Sequence, residues 1–325
     1  MKRKFLVTGG TGFLGANLVK RLLGEGHQVR VLDNESRGKK SRLEEIADQV
    51  EIFTGDVRDP DVVENAVKGC QTVVHMAYIN GTEFFYTKPE LVLEVGVKGM
   101  LNVLDACRSN KIGDLVLISS SEVYQTPPTI PTPEDVPLVI PDVQNPRYSY
   151  GGGKAICELL AINYGRTNFD RIVIARPHNV FGPDMGWEHV VPQFILRAYD
   201  QKLKQPEGPL TFPIQGQGSE TRAFVGIEDF TDGLMTIINK GEHQEVYHVG
   251  TEEEIAIADV ARKIVTALGR EIDIKPGPLT PGSTTRRCPD ISKLRKLGYD
   301  PKFTFDEAVS PTIDWYTKHA DQRPN

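Results

Sequence analysis

Tyr150 and Lys154 stand four residues apart in Tyr150-Gly151-Gly152-Gly153-Lys154, so on a helix they share one face. A free phenol releases its proton only near pH 10, about three units above neutrality. A cation held beside it stabilises the phenolate and lowers that value. The pair therefore predicts a general base for a substrate hydroxyl, with the lysine free to hold a neighbouring group. A run of hydroxyls, Ser119-Ser120-Ser121, followed by Glu122, sits upstream at the end of an apolar segment and adds donors and a carboxylate.

The start of the chain supplies a partner for such a base. Lys4-Phe5-Leu6-Val7-Thr8 reads as a buried strand, and Gly9-Gly10-Thr11-Gly12-Phe13-Leu14-Gly15 as a turn into a helix. Gly9 permits the tight turn, Gly12 lets backbone approach a pyrophosphate, and Gly15 lets helix and strand pack closely. The free N–H groups at that helix start then face a dianion. A second strand, Gln28 to Leu32, ends on Asp33, 18 residues after Gly15. A carboxylate there accepts both ribose hydroxyls of NAD and repels a 2′-phosphate, although Arg37 and Lys39 nearby could accept one.

Further elements must place these groups. Strands are expected at Val50–Phe53, Thr72–Ala77, Leu115–Ile118 and Arg171–Ala175. Helices are expected at Pro60–Gly69, Pro89–Ser109 and from Tyr148 onward, with a short one after Asp33. Regular alternation predicts an α/β fold with a doubly wound parallel sheet and a ligand crevice beyond the carboxyl ends of its strands. Between Pro127 and Pro146 seven prolines rule out a regular helix or central strand, which leaves a long loop over the crevice. After Arg176 the segments 179–187, 204–218 and 276–287 are irregular and rich in glycine and proline. We expect a dinucleotide-binding Rossmann domain over residues 1–176, with a returning segment near 227–250. A smaller mixed α/β substrate domain is expected over 177–325.

A chain of 325 residues with 39% hydrophobic and 25% charged residues has the composition of a globular enzyme. Its net charge of −6 argues against nucleic acid or an anionic membrane as partner. The four cysteines form no C-x-x-C pair and the seven histidines no cluster, so no metal is expected. Unpaired cysteines, a basic start running straight into a strand and no long apolar run predict a cytoplasmic protein.

The G-x-x-G-x-x-G spacing and the Y-x-x-x-K pair together resemble the extended short-chain dehydrogenase/reductases, the nucleotide-sugar epimerases, dehydratases and decarboxylases. The resemblance covers nearly the whole chain. It implies NAD held by Gly9, Gly12, Phe13, Leu14, Gly15, Asp33, Asn34, Asp56, Val57, Ala77, Tyr150 and Lys154. Ser119-Ser120-Ser121-Glu122-Val123-Tyr124 resembles the family's S-[ST]-x-x-V-Y. That match makes Ser120 the catalytic hydroxyl beside Tyr150 and Lys154, and puts Ser121 at the substrate. Glu122 matches the glutamate of the family's dehydratases and decarboxylases, whereas Ser121 stands where dTDP-glucose-type dehydratases carry an aspartate acid.

Asn179 in Arg176-Pro177-His178-Asn179, Arg222 in Gly218-Ser219-Glu220-Thr221-Arg222 and Arg287 before Asp290 match residues that grip the substrate diphosphate. Two departures stand out. Tyr78 replaces the second alanine of an H-x-A-A stretch, with His75 read as a structural histidine. Gly96 replaces the asparagine of N-x-x-G-T. Trp187 and His189 either wall the substrate pocket or pack the second domain.

The function expected is an NAD-dependent nucleotide-sugar epimerase working through a 4-keto sugar, as a homodimer joined through the helices at 89–109 and 148–167. A decarboxylase or 4,6-dehydratase of the same family is the alternative, and a non-catalytic dinucleotide sensor is the rival from another class.

Overall fold

The computed structural model describes residues 2–278 and 284–324; part of the irregular 276–287 stretch thus lies outside the described residues. Seven parallel strands form the central sheet. They are β1 (Lys4–Thr8), β2 (Gln28–Asp33), β3 (Val50–Thr54), β4 (Thr72–His75), β5 (Asp114–Ile118), β6 (Arg171–Pro177) and a last strand, Val246–Val249. Their spatial order is Val246–Val249, β6, β5, β4, β1, β2, β3. The chain reverses direction across the sheet between β1 and β4, and the crevice opens at that switch point.

The apolar runs follow from burial on both faces. Along β1, Phe5 and Val7 point into one core with α1 (Phe13–Gly24) and the helix Ile227–Lys240. Leu6 points into the opposite core with α2 (Pro60–Val67), α3 (Thr82–Thr87), α4 (Pro89–Leu93), α5 (Gly99–Ser109) and α6 (Ser149–Asn168). A third core, around Phe181, Phe194, Phe212, Ile264 and Tyr316, lies in the C-terminal part. There the small sheets form: Thr221–Ala223 runs between Glu254–Ala256 and Arg286–Arg287, setting Arg287 beside Arg222.

Local chemistry fixes the boundaries. Asp59 caps α2 by accepting from the backbone N–H of Asp61 and Val62, and Pro60 opens the helix. The loop from Gln125 to Asn145 holds no helix and no strand. It is tethered by a bridge at Thr132, whose N–H donates to the Cys288 carbonyl at 2.9 Å.

One element differs from expectation. The sequence predicts an unbroken helix over Pro89–Ser109. Instead α4 (Pro89–Leu93) passes into a π-helical turn, Glu94–Lys98, before α5 resumes the α-helix. Gly96 lies inside that turn, where the Tyr78 ring presses against it. No helix among the described residues is long and apolar enough to cross a membrane.

Candidate active site and cofactor cradle

A cavity of about 860 Å³ opens over the carboxyl ends of the strands. Its floor is the glycine turn. Gly9 takes φ +71°, and a Cβ on Gly15 would stand 2.2 Å from the Gly9 carbonyl oxygen, so only glycine closes this turn. No side chain caps α1, which leaves its first-turn N–H groups for a ligand. Asp33 is held in place by the N–H groups of Thr11 (2.9 Å) and Glu35 (2.8 Å), one on each oxygen. Gly12, Phe13, Leu14, Asn34, Asp56, Val57 and Ala77 line the same cavity. Asn34 donates to Asp56, and the Arg58 guanidinium holds the Asp56 carboxyl below its usual range. This cradle fits a dinucleotide: backbone donors meet the pyrophosphate, and a fixed carboxylate meets a ribose.

The cations that could take a 2′-phosphate are largely committed. Arg37 pairs with Glu188 at 3.2 Å and covers the Phe84 ring. Arg42 forks onto Asp184 and donates to the Thr11 carbonyl. These pairs also tie the loop after β2 to residues 184–188. Lys39 lines the cavity.

At the far end of the cavity, β5 and α6 bring Ser120, Tyr150 and Lys154 together. The Ser120 hydroxyl lies close enough to favour the Tyr150 phenolate and accepts from the Glu122 N–H at 3.2 Å. Three consecutive glycines weaken a helix by about 1 kcal/mol each relative to alanine. Here they permit close approach: a Cβ on Gly151 would lie 2.6 Å from the Glu122 carbonyl oxygen. Lys154 donates to the Ile118 carbonyl at 2.6 Å, and burial pulls its ammonium down to about 8.

The expected lowering of Tyr150 does not hold in the chain by itself. Burial raises this phenol well above its ordinary value, although the Ser120 hydroxyl pulls it the other way. The Lys154 ammonium is drawn to a carbonyl instead and lies 5.9 Å from the Tyr150 ring centre.

Glu122 and Arg287, 165 residues apart in sequence, form an ion pair at the cavity wall. Burial would raise the Glu122 carboxyl, but Arg287, helped by the charges of Arg147 and Arg222, holds it below the usual range. Ser121 and Asn179 also line the cavity, Asn179 at φ +40° with its amide donating to the Ala223 carbonyl. Arg222 is placed differently from expectation. Its guanidinium donates to the Thr221 and Thr284 carbonyls, beside Arg287, and does not line the cavity. Burial, together with Arg287, brings Arg222 down to about 10.

Trp187 and His189 both line the cavity, and Trp187 also packs edge-on against Tyr316 at 5.2 Å. His75 Nδ1 shares a hydrogen bond with the Thr8 hydroxyl at 2.8 Å, and burial holds the ring neutral, at about 3.

Sequence reasoning passed over Arg147, which lines the cavity three residues before Tyr150. A cation at the start of a helix opposes the helix dipole, and that misfit was the signal. It also passed over Phe85, which stacks on the Tyr150 ring at 5.0 Å. Among the described residues no group of three or more His, Cys, Asp or Glu is arranged to hold a metal ion.

Known proteins resemble this chain in sequence and fold. A dTDP-glucose 4,6-dehydratase of Streptomyces niveus is 28% identical over 96% of this chain and 92% of its own. UDP-glucuronic acid decarboxylase 1 of Danio rerio is 29% identical over 100% of this chain and 75% of its own. The structure of Thermus thermophilus UDP-glucose 4-epimerase in complex with NAD superposes with a TM-score of 0.83 at 28% identity, covering 96% and 98% of the two chains. The model of the NAD dependent epimerase/dehydratase family matches residues 5–250. That match begins inside β1 and ends just past Val246–Val249, so it spans the whole sheet that builds the cavity. The chain belongs to the NAD-dependent epimerase/dehydratase family of nucleotide-sugar enzymes, and NAD is its cofactor.

Proposed function

We propose that this enzyme is a nucleotide-sugar epimerase that passes through a 4-keto sugar. The observation that carries the reading is the Ser120–Tyr150–Lys154 group at the end of the NAD cradle, because epimerisation at C4 needs no further reacting side chain. Bound NAD supplies a reversible hydride acceptor. Tyr150 takes the proton from the sugar 4-hydroxyl and returns it, Ser120 holds that oxygen, and the Lys154 charge favours the phenolate. Asn179 and Arg287 hold the substrate diphosphate, Arg222 supports Arg287, and Ser121 faces the sugar. With Ser120, Tyr150 and Lys154 all present in a family of enzymes, the sensor reading is set aside.

A second reading, decarboxylation or 4,6-dehydration, is favoured by Glu122, an ionised carboxylate on the cavity wall. Incubation with a panel of nucleotide sugars decides between them. A product of unchanged mass with inverted C4 proton couplings supports the epimerase, and loss of carbon dioxide or water from the sugar overturns it.

Three expectations accompany this reading. NAD should bind more tightly than NADP, because Asp33 is fixed and Arg37 and Arg42 are engaged elsewhere; titration of both cofactors checks it. Arg222→Ala should weaken nucleoside-diphosphate binding by about tenfold or more, since Arg287 loses the neighbour that braces the Thr284 carbonyl. Calorimetry with the nucleoside diphosphate alone measures this. A homodimer should form through α4 and α6, where Leu93, Ile156 and Leu159 are 38%, 39% and 62% exposed. Light scattering should give twice the 36.1 kDa chain mass. The four cysteines, all buried and unpaired, support a place in the cytoplasm.

A further inference from the structure

Tyr78 and Gly96, the two departures from the family pattern, meet in space. The Tyr78 ring lies over the Lys154 ammonium, 4.0 Å from nitrogen to ring centre. It also stands edge-on to the Tyr150 ring at 5.1 Å and 83°. Its hydroxyl is buried and has no hydrogen-bond partner among the described residues. The space around that hydroxyl is set by missing side chains. A Cβ on Gly96 would come within 2.3 Å of the phenol oxygen and Cζ, and one on Gly153 within 2.2 Å of the oxygen. Gly96 is the residue inside the π-helical turn, and Gly153 precedes Lys154 on α6. An asparagine at 96 and a tyrosine at 78 cannot share this space.

We infer that Tyr78 is a positioning residue for Lys154: its ring face seats the ammonium, and the niche made by Gly96 and Gly153 sets where that ring lies. The inference rests on the reading of Tyr150 and Lys154 as the reacting pair. Lys154 has few other partners. From its own helix it meets Tyr150, Cys157 and Glu158, from β5 the Ile118 carbonyl, and from the end of β4 His75. Glu158 is already bound by Arg176 and Ser119, and Cys157 donates to the Gly96 carbonyl at 3.5 Å. Among the described residues no uncommitted anion is left to hold the cation, and the negative face of the Tyr78 ring fills that place. The ring, not the hydroxyl, carries the effect, since the hydroxyl touches no partner.

The sign of the pH effect follows. The active form carries a charged Lys154, and burial already pulls it to about 8. Without the aromatic face the ammonium is lost at still lower pH, so the alkaline limb of kcat moves down.

The test uses the NAD-loaded enzyme and its nucleotide-sugar substrate. Tyr78→Leu keeps an apolar side chain without a π face. It should lower kcat about tenfold and move the alkaline limb down by about one pH unit, with KM little changed. Gly153→Ala strengthens the helix yet puts a methyl group against the Tyr78 oxygen, so it should reproduce the same shift. Tyr78→Phe combined with Gly153→Ala removes that oxygen and should restore the limb, because the Gly153 Cβ would then face carbon at 3.5 Å. An unmoved limb in Tyr78→Leu, or a double variant as impaired as Gly153→Ala, overturns the inference. Lys154→Met separates the two ideas. If it abolishes turnover while Tyr78→Leu is silent, only the role of Tyr78 fails; if it too is silent, the reacting pair itself is wrong.

Discussion

Tyr150→Phe is expected to lower kcat by about 10²–10⁴-fold or more, with the fold and NAD affinity unchanged. The change removes one hydroxyl and keeps every ring contact: the stack on Phe85 at 5.0 Å and the edge contact with Tyr78 at 5.1 Å. What is lost is the hydroxyl beside Ser120 at the end of the cradle. Tyr150 is 7% exposed, and burial alone raises its phenol above the ordinary value. In the substrate-free chain it is therefore a neutral hydroxyl at physiological pH. Its activation requires positive charge close by, from Lys154 and from the nicotinamide ring of the bound cofactor. Activity should therefore fall as pH drops below the value at which Tyr150 ionises in the loaded enzyme, and the phenylalanine variant should show no such limb. Melting temperature and NAD titration control for folding. Turnover within a few-fold of wild type would remove Tyr150 from the chemistry.

The sheet and the cradle could be read from sequence because both are written locally. Strands buried on two faces must be apolar throughout, and a turn under a pyrophosphate must be glycine at fixed spacings. Gly9, Gly15 and Asp33 therefore announce their positions without any knowledge of what packs on them. Effects that depend on distant contacts did not announce themselves. The π-helical turn at Glu94–Lys98 looks like ordinary helix in sequence, and Gly96 inside it packs against Tyr78 from the loop after β4. The proton affinity of Tyr150 was read from its neighbour at i+4, but burial, a tertiary quantity, decides its direction in the chain alone. Arg222 and Arg287 were both legible as phosphate-type cations. Their adjacent register on Thr221–Ala223 and Arg286–Arg287, which sets them side by side, was not. The two family departures noted in sequence, Tyr78 and Gly96, pack against each other.

Glu122→Gln is the substitution that divides the two chemistries still open at this site. The carboxylate is held ionised by Arg287, so at neutral pH it is a base and not an acid. Glutamine keeps the shape, its amide oxygen still accepts from Arg287, and Arg287 retains its 3.2 Å bond to the Thr284 hydroxyl. The site should therefore stay assembled. If the reaction is epimerisation at C4, no base beyond Tyr150 is needed, and the variant should work within a few-fold of wild type. If the enzyme eliminates water, or otherwise acts on the carbons beside the 4-keto group, a carboxylate must carry a proton there. Its removal should then stall turnover after the first oxidation, by about 10²-fold or more, with reduced cofactor accumulating. Absorbance in the NADH band during a single turnover reads the difference directly. A silent variant supports the epimerase and leaves Glu122 as the residue that orients Arg287. A persistent NADH signal would instead make Glu122 the second base and the enzyme a dehydratase or a related lyase.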